Sequence, residues 1–198
     1  FLVARRLMYW QVYLHKTGVA AEQLLIRVLK RAKELIERGE NLTSSPALSY
    51  FLYNKVTLDK FDSDTLGTFA KLDDYDIISA MKEWMEYDDF VLSNLCKMLL
   101  NRDLLKVKLK KKKINPEKLK KYALTLQKKY SITEDEANYF VFSGEISNVA
   151  YSSENDKIQI LHRNGKISDV AKASDQLNLV ALSTEVTKYY ICYPKTIR

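Results

Sequence analysis

The sequence predicts an α+β chain: an N-terminal helical half, followed by a smaller mixed α+β region with an antiparallel sheet. Apolar residues recur at helical spacing through the first half, most regularly at Leu24, Leu25, Val28, Leu29, Ala32, Leu35 and Ile36. At Asp103 the period changes, and Leu105, Val107 and Leu109 alternate with Lys106, Lys108 and Lys110, as in a strand. Further on, Asn164-Gly165 stands between two apolar runs and signals a tight hairpin.

The first helix is expected over Phe1 to Lys16, with Thr17-Gly18 bending or breaking it. At about 100° per residue, Arg5, Tyr9, Val12 and Lys16 fall on one stripe, with Tyr13 at its edge. A guanidinium can fork two phosphate oxygens, an ammonium adds a point charge, and a phenol ring can lie against a sugar or base. The structural alternative is a core-facing helix whose tyrosines pack and whose cations reach water. The leucine-rich helix that follows ends at Gly39. Ser45 and Pro46 form a cap and first position for a helix with Leu48, Phe51 and Leu52 on its apolar side. Residues 56–68 are irregular. Asp73 caps a helix that buries Ile77, Ile78, Met81, Trp84 and Met85, and another runs from about Asp88 to Asn101. Asp73, Asp74, Asp88 and Asp89 read as helix-end charges, not as catalytic carboxylates.

In the second half, Lys110 to Lys113 faces water or an anion, and a lysine-rich edge also discourages strand pairing. Asn115-Pro116 opens a basic helix to about Tyr130, and Thr133 with Glu136 forms a capping box. Residues 146–151, 157–161 and 189–193 read as strands, and 171–182 as a short helix.

The 198 residues contain 46 % hydrophobic side chains, enough for a packed core, and carry a net charge of +7 that suits an anionic partner. The two cysteines, Cys96 and Cys192, sit in apolar patterns and read as buried thiols. They give neither a disulfide framework nor a zinc spacing, which fits a reducing, cytoplasmic location. No apolar run approaches the roughly 20 residues that cross a bilayer, so no membrane partner is expected.

Several stretches together carry a family resemblance. Ala4-Arg5-Arg6-x-Met8-x-x-x-Val12-Tyr13-x-His15-Lys16-Thr17 precedes Glu22 and the leucine-rich helix. Leu72-Asp73-Asp74, Trp84, Asp88-Asp89-Phe90 and Asn101-Arg102-Asp103-Leu104-Leu105-Lys106 follow in order. Lys157 to Leu161, Asn164 to Ile167 and Tyr193-Pro194-Lys195 come last. Their order and spacing resemble the HD-domain phosphohydrolases, among them bacterial HD-superfamily hydrolases and the vertebrate sterile-alpha-motif/HD-domain deoxynucleotide triphosphohydrolase. The family's His…His-Asp…Asp metal set is absent. Only His15 and His162 are present, and neither precedes an Asp. The expectation is therefore the carboxy-terminal portion of a longer enzyme, with residues 1–102 closing the HD domain and residues 103–198 forming a small α+β region.

The resemblance implies a parent enzyme that cleaves a deoxynucleoside triphosphate to the deoxynucleoside and triphosphate, using a divalent metal held in the missing amino-terminal half. This fragment alone would bind no metal, hold no catalytic residue and be inactive. Arg5 matches an arginine on the substrate triphosphate, and Tyr13 a tyrosine against the deoxyribose. Leu14 stands where the vertebrate enzyme has a glutamine near the base, so base preference is open. His15, Lys16, Arg102, Lys106 and Arg163 match residues around an effector nucleotide between subunits. The implied partners are a deoxynucleoside triphosphate, an effector nucleotide and further copies in a dimer or tetramer. Two other readings stand beside it: a non-catalytic basic module that binds nucleic acid, and an HD enzyme acting on another phosphoester. The basic module lacks aromatics between its lysines, which single-strand binding favours.

Overall fold

The computed structural model describes residues 2–148, 158–173 and 185–197. It opens with helix α1 (Leu2–Met8), continues through a π-helical turn at Tyr9–Tyr13 and enters the long helix α2 (Lys16–Glu37). The break falls at Leu14–His15, not at Thr17-Gly18 as the sequence suggests. The Leu14 N–H donates to the Tyr9 carbonyl at 2.7 Å, widening the turn by one residue. His15 then takes an extended conformation, and its Nδ1 accepts the Thr17 N–H at 3.3 Å, so His15 is the cap of α2 and Gly18 lies inside it. At the far end Gly39 adopts φ +93°, the left-handed conformation that closes a helix at little steric cost.

Helices α3 (Pro46–Tyr53), α4 (Ser63–Phe69), α5 (Asp74–Trp84) and α6 (Phe90–Leu100) follow. Ser45, Asp62, Asp73 and Asp89 cap them in turn by accepting backbone N–H bonds. The Asp62 cap gives α4 a helical identity inside the stretch that reads as irregular. The second half contributes β1 (Lys106–Lys110), α7 (Pro116–Tyr130), α8 (Glu134–Asn138), β2 (Phe142–Asn148), β3 (Gln159–Leu161), β4 (Ile167–Asp169), α9 (Val170–Ala173) and β5 (Val186–Tyr193). The mixed α+β expectation holds. β5 is the central strand of an antiparallel sheet ordered β1-β5-β2, with Val107 and Phe142 both opposite Cys192. The β3–β4 hairpin forms around Asn164-Gly165, with Gly165 at φ +77°. Of the expected strands and late helix, residues 149–151, 157 and 174–182 lie outside the described residues.

Helix α2 packs on α6 and on β1. Leu24 and Val28 of α2, Val91, Leu92, Leu95 and Cys96 of α6, and Ile191 and Cys192 of β5 belong to one buried cluster, so side chains from both sides of residue 102 share a core. Trp84 is buried, and its Nε1–H donates to the Thr43 carbonyl at 2.9 Å. Burial pushes both thiols, Cys96 and Cys192, up to about 12, as suits inert packing groups. Among the described residues no helix is long and apolar enough to cross a membrane.

Candidate functional site

Arg5, Tyr9 and Tyr13 stand four residues apart along α1 and the π-helical turn, so their side chains meet on one face. The Tyr9 and Tyr13 ring centroids are 5.2 Å apart with planes tilted by 51°. The Arg5 guanidinium lies 5.8 Å from the Tyr9 ring centroid. Ala4, Arg5, Met8, Tyr9 and Tyr13 line an open concavity of about 400 Å³. Val12 is exposed and outside this lining, and Lys16 starts the next helix.

This face is not sealed into the core. Tyr13 is 60 % exposed, and Val3, Leu7 and Met8 are exposed as well. The core-packing alternative for the stripe therefore does not describe Tyr13. Arg5 is half-buried and forms no ion pair with a carboxylate among the described residues. A cation, two phenols and an apolar rim, open on one side, can hold an anionic group beside a ring-shaped one.

The turn is anchored from the other side. Lys188 of β5 puts its Nζ 3.7 Å from the Trp10 ring centroid, a close cation–π contact that ties the π-helical turn to the central strand. No local pattern connects Trp10 with Lys188, and sequence reasoning missed the pair.

The remaining candidates lie at three separate places. His15 and Lys16 open α2, with His15 occupied as its cap. Lys16 stands at the positive end of that helix dipole, where a cation is disfavoured. Arg102 and Lys106 flank the passage from α6 to β1, and both are exposed. Arg102 follows the last turn of α6 at φ 57°, a left-handed position more often held by glycine or asparagine. Beside it Asp103 pairs with Lys195 at 2.9 Å. Arg163 is exposed in the β3–β4 turn, in the separate two-stranded sheet. Arg5 and Tyr13 are thus brought together, while the four other cations and His15 are not gathered into one site within this chain.

The most tightly held polar cluster is elsewhere. Arg31 donates to Asp89 through Nε at 3.1 Å and Nη2 at 2.6 Å, and its Nη1 lies 3.5 Å from Glu34. Asp89 also accepts the Leu92 N–H at 2.7 Å, so one carboxylate caps α6 and fixes α2 against it. Burial alone would raise the Asp89 carboxyl, but Arg31 and the Leu92 N–H outweigh it and hold it below the ordinary range. The helix-end reading of Asp89 is right, while its bond to Arg31 is not visible locally.

Among the described residues no three His, Cys, Asp or Glu side chains converge in a way that could hold a metal ion.

No family model matches the chain. A crystal structure of a phosphohydrolase from Bacteroides thetaiotaomicron is similar to it at 46 % identity, with a TM-score of 0.88, over 98 % of this chain and 49 % of that one. An uncharacterized protein of Bacillus subtilis, YwfO, is 26 % identical over 205 residues, covering 100 % of this chain and 44 % of the relative. The chain shares the fold of the Bacteroides protein and spans about half the length of these relatives.

Proposed function

We propose that this chain is the carboxy-terminal part of a metal-dependent HD-family phosphohydrolase that converts a deoxynucleoside triphosphate to the deoxynucleoside and triphosphate. The observation that carries the reading is the open concavity at Arg5, Tyr9 and Tyr13, on a chain 46 % identical to a phosphohydrolase. Arg5 neutralises phosphate charge as it builds up in the transition state, and Tyr13 lies against the deoxyribose. Water attacks the α-phosphorus, the bond from that phosphorus to the 5′-oxygen breaks, and a proton passes to the departing 5′-oxygen, so the deoxynucleoside leaves and triphosphate stays as one unit; a cation along the phosphates neutralises the charge that builds on them in that step. The described residues do not fit a divalent metal site, so the ion that such chemistry uses would be held by other parts of the whole protein. His15, Lys16, Arg102, Lys106 and Arg163 would meet an effector nucleotide only when copies assemble, which accords with their separation within one chain. An effector bound between subunits stabilises the assembly by its differential affinity.

The test is a screen of the whole protein against the four deoxynucleoside triphosphates, with products separated by ion exchange. Deoxynucleoside and tripolyphosphate in equal amounts support the reading. Release of single phosphates, or no turnover of any of the four, contradicts it. Arg102→Glu should abolish nucleotide-promoted assembly on a sizing column, and unchanged assembly would remove the effector assignment.

One observation favours a second reading. Lys110 to Lys113, Lys120, Lys121, Lys128 and Lys129 are all exposed and form no ion pair among the described residues. A basic surface of this kind binds nucleic acid without catalysis, and a steep salt dependence of RNA or DNA binding by the chain is its signature.

A further inference from the structure

We propose that the cleft between α2 and residues 135–139 is a binding site for a phosphoryl oxyanion, distinct from the amino-terminal concavity. The cleft has a volume of about 300 Å³, and Arg27, Lys30 and Arg31 of α2, with Arg38 just past its end, line it. Three of these four cations, Arg27, Lys30 and Arg38, form no ion pair among the described residues.

The cleft also holds buried donors that are poorly satisfied. Tyr139 is 8 % exposed, and its buried hydroxyl faces Glu34 and Arg31 without a hydrogen bond of good geometry to either. The Nε of Arg27 is buried and unpartnered. Native interiors rarely leave such groups unsatisfied, and an ion is one of the usual reasons for an exception. Burial pulls the Arg27 guanidinium below its ordinary range, as expected of a cation short of counter-charge.

The surrounding framework is rigid. Arg27 stacks on Phe142, its guanidinium carbon 3.3 Å from the ring centroid, while Lys30 and Arg31 lie 6.0 Å and 5.6 Å from the Tyr139 ring centroid. The bidentate pair with Asp89 fixes Arg31. A fork of nitrogens, a mobile ammonium and a phenolic O–H are the donor set of an oxyanion with several acceptor oxygens. Glu34 and Asp135 also line the cleft and repel an anion on their side, so the ligand sits toward Arg27 and Lys30.

The phosphoryl group could be inorganic or carried on a nucleotide, and the experiment separates the two. The 198-residue chain is titrated calorimetrically with sodium tripolyphosphate and, separately, with dGTP. The same titrations are run on Arg27→Gln, Lys30→Gln and Arg5→Ala. Loss of a charge-assisted hydrogen bond should weaken tripolyphosphate binding about tenfold in Arg27→Gln and severalfold in Lys30→Gln, whereas any weakening in Arg5→Ala is the separate contribution of the amino-terminal concavity. Tighter binding of dGTP than of tripolyphosphate, with the same variant pattern, assigns the group to a nucleotide. Lys30 is exposed, so its variant keeps the fold even if Arg27→Gln does not, and thermal melts check both. Wild-type affinity in Lys30→Gln and folded Arg27→Gln overturns the proposal, as does no heat at millimolar ligand. Loss of binding in Arg5→Ala alone also overturns it, while leaving the proposed phosphohydrolase function standing.

Discussion

Two arginines on successive helices, Arg5 of α1 and Arg31 of α2, show how one residue type is put to opposite uses. Each lies near a tyrosine ring, 5.8 Å from Tyr9 and 5.6 Å from Tyr139 respectively. Arg31 is 5 % exposed and has a fully engaged carboxylate partner. Arg5 is half-buried on an open concavity and has no such partner. A buried, paired guanidinium is part of the scaffold. An accessible one beside two phenols keeps its donors for a ligand. What separates them is whether the helix face meets a carboxylate from another element: α6 arrives with Asp89 at Arg31, and none of the described residues brings one to Arg5.

The sharpest way to break this contrast is at Asp89. Asp89→Ala leaves Arg31 buried without its partner and should cost about 3–5 kcal/mol in a denaturant melt. The contribution depends on pH with a definite sign. Because the folded Asp89 carboxyl is held below its ordinary value of 3.8, its stabilisation is complete above that value and is lost as pH falls through the lower folded one. Stability of the wild type should therefore drop below about pH 4, and Asp89→Asn should flatten that part of the curve. A melt equally acid-sensitive in both would remove Asp89 from the account.

A smaller effect is expected where the two regions meet. Lys188→Ala removes the cation over Trp10 and should destabilise by about 0.5–2 kcal/mol, with a change in Trp10 fluorescence that Lys188→Arg restores. Truncating the cap in His15→Ala should cost about 0.5–1 kcal/mol. Arg5→Ala should change the melting midpoint least, by within about 0.5 kcal/mol, because Arg5 is partly exposed and forms no ion pair. If Arg5→Ala destabilised as much as Asp89→Ala, the two arginines would share one structural role.

Much of the fold is legible locally. Caps at Ser45, Asp73, Asn115 and Thr133 appear where short polar side chains precede apolar periodicity, because the signal and the bond it forms lie within three residues. The strand at Lys106–Lys110 is equally readable from its alternation. The helix breaks at Leu14–His15 and not at Thr17-Gly18: His15 accepts the Thr17 N–H and so starts α2, which carries Gly18 in its first turn. Of the sequence stripe Arg5, Tyr9, Val12 and Lys16, with Tyr13 at its edge, the concavity keeps Arg5, Tyr9 and Tyr13, while Val12 stands outside its lining and Lys16 begins α2. Arg31–Asp89, Trp10–Lys188 and Arg27–Phe142 join residues far apart in the chain, and no periodicity reports such pairs.

The central claim is that the Arg5 face is built for a ligand, and one measurement addresses it most directly: deoxynucleoside triphosphate turnover by the whole protein with Arg5→Ala, beside a thermal melt of the same sample. The account predicts a wild-type melting midpoint together with a turnover reduced by about 10²-fold or more, as for loss of a charge-stabilising group in the transition state. Wild-type turnover in a folded Arg5→Ala protein would contradict it.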